Sequence, residues 1–402
     1  MDKKRLMEKT NKYIFPTYMR SPIVIVKGEG CTVWDINRKE YLDFVSGIAV
    51  NNVGHRHPKV VKAIQDQMEK LIHCSNVYYS LPQIELAELL IKNSFAKRLF
   101  FCNSGAEANE AAIKIARKYA KDQGKPERFE IITMVNSFHG RTLATIAATG
   151  QEKFQKGFEP LPLGFHYVPF NNLSAVEAAI TDHTIAIMVE PIQGEGGVNC
   201  PSDNYLKGLR DICDRNGLLL IFDEVQVGMG RTGRLFTYEH YQVKPDIMTI
   251  AKALGGGMPI GAMLANNRLK DTLSQGSHAS TFGGNPLCMA AGKAAVNVLL
   301  HDNVLEHCRK IGVYFKNRLI ELQRQYPFIK EVRGKGLMLG MELSFNGSEI
   351  VNQCMKRGFL INCTMDRVLR FLPPLIIREK EVDSLINALN QIFLKVNKEY
   401  EV

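Results

Sequence analysis

The sequence predicts an α/β protein in which a large domain with a mainly parallel sheet is joined to a smaller α+β domain. Between about residues 98 and 251, apolar segments of strand length alternate with helical stretches, a pattern typical of a parallel sheet covered on both faces. The chain of 402 residues is too long for one ordinary core. We expect residues 56–291 to form the large domain, and residues 1–55 and 292–402 to form the smaller one together.

The segment before the central sheet is predicted to contain short strands and then two helices. A turn is expected at 28–30, inside an otherwise irregular start. A helix should begin at Pro58, because proline favours the first helical position, and a second helix should follow Pro82. The short strands are expected at 23–26, 32–35 and 41–45.

The central sheet is predicted from strand-sized apolar segments, and the run from Ala108 to Ala120 between the first two is predicted to be helical. Helices and short strands return after residue 292, and the chain closes with an amphipathic helix. The expected sheet strands are 98–102, 130–135, 185–190, 218–222 and 247–251. The apolar face of the last helix consists of Val382, Leu385, Ile386, Leu389, Phe393 and Val396.

The composition favours a globular protein of a reducing compartment, and we expect a cytoplasmic location. The net charge of +10 comes from dispersed Lys and Arg, so small anions are expected as partners and nucleic acid is not. Nine cysteines without a CxxC motif argue against a disulfide framework. Residues 1–10 lack the apolar stretch of a signal peptide, and no apolar run has membrane-spanning length. No metal site is expected, because His55 and His57 have no further ligand nearby.

An acid and a base stand at the predicted carboxyl ends of two strands. Asp223 follows the strand 218–222, and Lys252 follows the strand 247–251. Open α/β sheets place ligands at this edge, and pyridoxal 5′-phosphate (PLP) needs both groups. Its aldehyde condenses with an amine, and a carboxylate keeps its ring nitrogen protonated. From these two residues alone, a structural ion pair is an equally good interpretation.

A phosphate site is predicted where the strand 98–102 meets the helix that follows. Residues 103–107 form a turn of small residues before the helix, and a helix N-terminus presents free N–H groups to an anion. The same residues also suit a capping box of Ser104 with Glu107. Both interpretations stay open, since a cap and an anion site use the same geometry.

Two further loops follow predicted strands and carry candidate ligand-binding side chains. Phe138 can stack on a cofactor ring, and Arg141 can bind a carboxylate with its two-pronged guanidinium. Glu195 offers a carboxylate on a flexible Gly-rich loop, 190–197. Packing, a surface charge and a simple turn are the plainer alternatives.

Segment 228–233 matches the pattern GxGxxG and raises a nicotinamide-dependent dehydrogenase as an alternative. A dinucleotide site would need these glycines at the strand end, opening a helix. Here residues 223–227 intervene, and residues 234–238 do not resemble a helix start. We therefore do not favour this alternative.

Seven motifs, in this order, resemble those of class III (ω-amino) PLP-dependent aminotransferases, with a match from about residue 20 to about 395. They are 103–109 (NSGAEAN), 138–142 (FHGRT), 190–197 (EPIQGEGG), 223–226 (DEVQ), 230–233 (GRTG), 251–252 (AK) and 280–286 (STFGGNP). Within this family, segments 75–79 and 369–375 most resemble the acetylornithine aminotransferases of arginine biosynthesis. The resemblance implies fold type I of the PLP-dependent transferases, PLP as cofactor and an active homodimer.

The resemblance also implies roles toward PLP. Lys252 would bind the cofactor covalently and move the proton during transamination, Asp223 would hold the ring nitrogen, and Gln226 would bind the ring hydroxyl. The phosphate would lie on N–H groups of Gly105 and Ala106. The remaining implied cofactor-binding residues are Ser104, Phe138, Glu224, Val225 and Thr281, the last acting on the PLP of the neighbouring subunit.

The implied reaction passes an ω-amino group to 2-oxoglutarate, which becomes glutamate. Arg141 would bind the substrate carboxylate, with Ser280 beside that site. Arg370 would receive the α-carboxylate of glutamate, and Glu195 would neutralise Arg370 while the ω-amine is bound. The implied donor is N2-acetylornithine. Ornithine, succinylornithine, succinyldiaminopimelate and 4-aminobutyrate stay open as alternative donors.

Overall fold

The structure is a computed structural model that describes residues 2–400, with side chains described to residue 397. Its strands are β1 (Ile25–Glu29), β2 (Thr32–Asp35), β3 (Glu40–Asp43), β4 (Arg98–Cys102), β5 (Glu130–Met134), β6 (Phe165–Val168), β7 (Thr184–Val189), β8 (Leu219–Asp223), β9 (Ile247–Ile250), β10 (Gly261–Ala265), β11 (Ile329–Lys335), β12 (Met338–Leu343), β13 (Phe359–Leu360), β14 (Asn362–Thr364) and β15 (Val368–Phe371).

The α-helices of the same residues alternate with these strands through the middle of the chain. They are α1 (Lys3–Tyr13), α2 (Ser46–Ala49), α3 (Pro58–Met68), α4 (Leu81–Lys92), α5 (Gly105–Asp122), α6 (Leu143–Ala148), α7 (Glu152–Gln155), α8 (Leu173–Ala178), α9 (Tyr205–Asn216), α10 (Tyr238–Tyr241), α11 (Pro286–His301), α12 (Val304–Gln325), α13 (Ser348–Lys356) and α14 (Glu379–Tyr400). No helix within residues 2–400 combines the length and the apolar character needed to cross a membrane.

The main sheet has the strand order β4-β10-β9-β8-β7-β5-β6. Strands β9, β8, β7, β5 and β6 pair in parallel, whereas β10 is antiparallel to both β4 and β9. Strands β7, β8 and β9 are buried along their whole length, as expected for a sheet with helices on both faces. Because β4 runs in the same direction as β9, the carboxyl ends of all these strands except β10 share one edge.

Two smaller sheets accompany the main sheet, and one of them, β1-β2-β3-β13, combines the two ends of the chain. Strand β13 pairs in parallel with β3, which aligns Phe359 with Leu42. The neighbouring sheet has the order β11-β12-β15-β14 and consists of C-terminal residues only. The chain ends are therefore joined through the backbone of β3 and β13.

The predicted α/β class and the mainly parallel sheet are confirmed, and the five predicted central strands each agree with the structure to within one residue at either end. The prediction of an irregular start is wrong for Lys3–Tyr13, which is helical with Asp2 as N-cap. This helix buries no residue. Strand β1 continues to Glu29, so the turn to β2 lies at residues 30 and 31, slightly later than the predicted 28–30. The predicted boundary between residues 291 and 292 falls inside α11, so no break between elements marks it.

A buried arginine in the turn after β8 is bonded to both chain ends. Arg231 is 0% exposed, and its guanidinium donates to the carbonyls of Leu337 (3.0 Å) and Pro373 (2.6 Å). It also donates to Ser46 Oγ (3.3 Å) and to Asn52 Oδ1. All four acceptors are neutral, and burial lowers the pKa of Arg231 to about 10. One buried charge therefore links the turn after β8 to both chain ends through neutral oxygen acceptors.

We expect Arg231→Met to lower the free energy of unfolding by about 3 kcal/mol or more, because it leaves several buried acceptors without a donor. Urea unfolding followed by circular dichroism measures this loss. Arg234→Met is the matched control, since Arg234 is exposed, and it should change stability by no more than about 0.5 kcal/mol. Equal losses in the two variants would contradict the role of Arg231.

Candidate active site

A cavity of about 440 Å³ opens at the carboxyl edge of the main sheet. Four strands deliver side chains to it, because Phe138 follows β5, Glu190 follows β7, Asp223 ends β8 and Lys252 lies two residues beyond β9. The cavity is lined by Val50, Asn103, Ser104, Gly105, Ala106, Asn109, Phe138, His139, Gly140, Arg141, Glu190, Asp223, Val225, Gln226, Ala251, Lys252, Gly257, Met258, Pro259 and Ile260.

The Asp223 carboxylate is buried and held by three donors. Its Oδ2 accepts from Asn109 Nδ2 at 2.7 Å and from His139 Nδ1 at 2.8 Å, and its Oδ1 accepts from the Val225 N–H at 3.0 Å. Thr249 Oγ1 in turn donates to Asn109 Oδ1 at 2.7 Å, which fixes the orientation of the amide. Because Asp223 accepts from His139, the imidazole carries a proton on Nδ1. The network holds a negative charge at one wall of the cavity.

Lys252 supplies the base in the same cavity. Burial lowers the pKa of its amine, and the Arg370 charge lowers it further, while Glu195 and Asp223 oppose the shift. Its backbone has a φ of +48°, which is unusual for a residue with a side chain and is typical of strained functional positions. Within the described part of the chain, the amine forms no ion pair or hydrogen bond. The amine is therefore unpaired in the cavity, and its lowered pKa makes it easier to deprotonate.

The start of α5 has the geometry of a phosphate site. Among the described residues, no acceptor bonds the backbone N–H groups of Gly105 and Ala106, and both residues line the cavity. Ser104 Oγ accepts from the Glu107 N–H at 3.2 Å, and the Glu107 carboxylate accepts from the Asn103 N–H at 2.6 Å. The cap and the free donors therefore coexist, as the sequence allowed.

Arg141 lies over aromatic rings at the mouth of the cavity. Its guanidinium carbon is 4.0 Å from the centre of the Phe154 ring and 5.5 Å from the centre of the Phe138 ring. The side chain is exposed and forms no ion pair within residues 2–397. An incoming carboxylate can therefore bind this arginine without displacing another carboxylate.

A second arginine is already paired. Arg370 on β15 is 1% exposed, and its Nη1 donates to Glu195 Oε1 at 2.7 Å and to Gln226 Oε1 at 3.1 Å. Burial alone would raise the pKa of Glu195, but the charge and hydrogen bond of Arg370 outweigh it and hold that pKa below its usual value. Glu195 is thus ionised and neutralises Arg370.

The Glu195 loop is closely packed, which argues against the flexibility predicted for it. A Cβ atom on Gly194 would lie 2.3 Å from Gln226 Oε1, and one on Gly196 would lie 2.4 Å from the carbonyl of Asn136. The Gly194 N–H also donates to a carboxylate oxygen of Glu190 at 3.0 Å. These glycines permit close packing at the site and do not act as hinges.

Five predicted residues are not among those that line the cavity: the ion pair of Glu195 and Arg370 beside it, and Glu224, Ser280 and Thr281. The buried Glu224 carboxylate accepts from the N–H groups that begin α10, and burial raises its pKa to about 8. Ser280 Oγ accepts from Asn103 Nδ2 at 3.2 Å, which places it beside a lining residue. Thr281 is exposed on the surface. Segment 228–233 forms turns around the buried Arg231 and opens no helix, so it lacks the geometry of a dinucleotide site.

Three buried polar residues of the site were not predicted from the sequence. Asn109, His139 and Glu190 are all buried polar side chains in the site, and burial raises the pKa of Glu190 to about 7. Glu190 accepts from the N–H groups of Phe138 (2.9 Å) and Gly194. The sequence signal for Asn109 was an amide side chain on the apolar face of α5, about one turn from its start, where an unpaired amide would be costly.

The geometry defines an enzyme site for a phosphate-bearing cofactor that needs both an acid and an amine. The sequence comparisons then specify the class. Residues 14–393 match the family model of class-III aminotransferases. The chain is 55% identical to an acetylornithine aminotransferase of Methanocaldococcus jannaschii, covering 99% of this chain and 100% of that protein. It is 54% identical to an acetylornithine aminotransferase of Caldanaerobacter subterraneus subsp. tengcongensis, covering 96% and 98%.

A solved structure agrees with these relatives. The ornithine aminotransferase of Toxoplasma gondii, crystallised with PLP at partial occupancy in its active site, superposes with a TM-score of 0.96 at 35% identity, covering 100% of this chain and 96% of that one. The chain belongs to the class-III aminotransferase family and is an enzyme of that class. Its cofactor is PLP, as in the class as a whole.

We expect Asn109→Leu to lower kcat about tenfold or more, because the Asp223 charge loses a buried donor. Steady-state transamination assays measure the effect. Asn216→Leu is the control, since Asn216 is exposed and only bonds a carbonyl at the end of α9. Wild-type activity in Asn109→Leu would show that His139 and Val225 suffice to hold Asp223.

Proposed function

We propose that the protein transfers the ω-amino group of N2-acetylornithine to 2-oxoglutarate, giving N-acetylglutamate 5-semialdehyde and glutamate, a step of arginine biosynthesis. The observation that carries this proposal is the pair of arginines, one open and one neutralised by Glu195. Relatives about half identical over nearly the whole chain are named acetylornithine aminotransferase, which supports the choice of donor.

The residues of the cavity fit PLP. When bound, PLP supplies an aldehyde that condenses with amines and a protonated ring that withdraws electrons from the substrate carbon. Lys252 would hold the aldehyde carbon, Asp223 would hold the ring nitrogen, and Phe138 would cover a ring face. The free N–H groups of Gly105 and Ala106 suit the phosphate. Ser104, Val225 and Gln226 complete the proposed set.

Lys252 is also the proposed acid and base. Because burial lowers the pKa of its amine, the amine can accept the proton that leaves the substrate carbon and return it on the other side of the reaction. Asp223, held by Asn109 and His139, keeps its negative charge throughout. The chain thus separates the moving proton on Lys252 from the fixed charge on Asp223.

The two arginines distinguish the two half-reactions. N2-acetylornithine carries its single carboxylate far from the reacting amine, where Arg141 can bind it. Glutamate has a second carboxylate directly beside its amine, and Arg370 would bind that group. With Glu195 paired to Arg370, the site offers little attraction to an α-carboxylate. Release of Glu195 would then admit glutamate.

A panel of ω-amines assayed with 2-oxoglutarate tests the donor. We expect kcat/KM for N2-acetylornithine to exceed that for ornithine, succinylornithine, succinyldiaminopimelate and 4-aminobutyrate. A higher value for any of these other donors would overturn the proposed substrate, and no turnover of any ω-amine would overturn the reaction.

We expect the cofactor to be bound covalently through Lys252. Borohydride reduction followed by peptide mapping should leave the pyridoxyl group on that lysine, because its amine lines the cavity and burial lowers its pKa. Lys252→Ala should lose the covalent label. Lys153→Ala, at an exposed position on α7, is the control and should keep it. A label on a different lysine would contradict the assignment.

We further propose that the active form is a homodimer in the cytoplasm. All nine cysteines are unpaired, which suits a reducing compartment. Apolar side chains stand exposed beside segment 280–283, with Tyr79 at 98% and Phe282 at 61% exposure. Asn76 Nδ2 joins the segment that contains Tyr79 to segment 280–283 by donating to the carbonyl of Gly283 at 2.7 Å. A second copy covering this surface would bring Thr281 to its cavity.

We expect Thr281 to act on the cofactor of the neighbouring subunit. Mixing Lys252→Ala chains with Thr281→Ala chains should then restore about a quarter of wild-type activity, since half of the dimers are hybrids with one intact site. Activity after dissociation and reassembly is the measurement.

The control mixture combines Lys252→Ala with Asp223→Asn, two changes proposed to act within one chain. Its hybrids contain no intact site and should stay inactive. If Thr281→Ala is itself inactive and its hybrids also stay inactive, Thr281 acts within its own chain.

A further inference from the structure

We propose that Thr364 and Arg333 are positioning residues for the Glu195 carboxylate, because they hold the backbone of the loop 194–197 in place. The inference rests on the proposed function, because it concerns how the same site distinguishes an ω-amine from glutamate. It assigns specificity to two residues of the smaller domain that do not line the cavity.

Every carbonyl of the loop 194–197 accepts a hydrogen bond. Two of these bonds are local, with the Gly197 N–H donating to the Gly194 carbonyl at 3.4 Å and Asn199 Nδ2 donating to the Gly196 carbonyl at 3.0 Å. A backbone movement of the loop would break several buried hydrogen bonds at once. The loop is therefore a poor hinge.

The other two bonds come from the smaller domain. Thr364 Oγ1 donates to the Glu195 carbonyl. Arg333 donates to the Gly197 carbonyl from Nε at 3.0 Å and from Nη2 at 2.7 Å, and its own Nη1 is paired with Glu342. The backbone that follows the Glu195 side chain is thus anchored to β11 and β14.

Strand β14 also holds the partner of Glu195. Asn362 Oδ1 accepts from Arg370 Nε at 3.2 Å, two residues before Thr364. Strand β14 therefore supplies a hydrogen-bond partner to each residue of the Glu195–Arg370 ion pair. The Arg370 side chain is 1% exposed and the Glu195 side chain 26%, so Glu195 is the partner with room to turn. Thr364 aims that side chain at Arg370 when no α-carboxylate is present.

The experiment compares the two half-reactions of the holoenzyme by stopped-flow absorbance. Thr364→Val keeps the shape of the side chain and removes the hydroxyl donor. We expect it to raise the ratio of kcat/KM for glutamate to that for N2-acetylornithine by about three- to tenfold, because Glu195 neutralises Arg370 less well. The affinity for glutarate, a dicarboxylate without an amine, should rise by a similar factor. Thr364→Ser should restore both values.

A double-mutant cycle separates positioning from general structure. Glu195→Ala should itself raise the ratio, and adding Thr364→Val to it should change nothing further, because no carboxylate remains to be aimed. Thr133→Val is the matched control, since it removes a buried hydroxyl that has no partner among the described residues, and it should leave the ratio unchanged. An unchanged ratio in Thr364→Val, or the same shift with and without Glu195, would overturn the proposal.

Two further arms keep the test decisive. If Thr364→Val does not fold, Arg333→Met enters the same cycle with the same expected shift. If wild-type enzyme transaminates no ω-amine, the proposed function fails, whereas glutarate binding to the wild-type and variant holoenzymes still tests whether Thr364 controls Arg370.

Discussion

The site depends on the burial of Arg231, an arginine that forms no ion pair within residues 2–397. It donates to carbonyl, hydroxyl and amide oxygens from both chain ends, and removal of these acceptors would leave a buried charge without partners. Asp223 and Lys252 lie at the edge of the main sheet, whereas Arg370 lies on β15 in a smaller sheet. The Arg231 contacts with Leu337 and Pro373 join the chain around these two sheets, so they help to fix Arg370 relative to the residues proposed to perform the chemistry.

The charged groups of the cavity differ in how many hydrogen bonds hold them. Asp223 has three donors, one on α5 and two in the loops that follow β5 and β8, so its charge is held at one position. Within the described residues Lys252 has no such partner, and its amine lines the cavity. A reaction that moves a proton needs one group that gives and takes it and another that does not change. The arrangement of β8 and β9 as parallel neighbours provides both within one cavity.

Much of this arrangement was predictable from the sequence, because it follows from local patterns. Strand-length apolar segments ending in Asp223 and Lys252 located the edge of the sheet, and the small-residue turn at 103–107 located the helix start. The antiparallel strand β10 was missed because its short run of small residues resembles a buried turn. The hydrogen-bond partners of Asp223 were also missed, since Asn109 and His139 meet it only after long-range pairing of the sheet.

The Glu195 loop shows why composition alone misleads about flexibility. A glycine-rich segment predicts a hinge when nothing packs against it, but here the missing side chains let Gln226 and Asn136 approach the backbone closely. A rigid loop is also better suited to its task. If the whole loop moved, Glu195 would have to recover its position before each ω-amine could bind, and every buried hydrogen bond would be broken in each cycle. A side chain that rotates on a fixed backbone exchanges one ion pair for another, so the free-energy difference between the two states stays small and the arriving carboxylate can decide it.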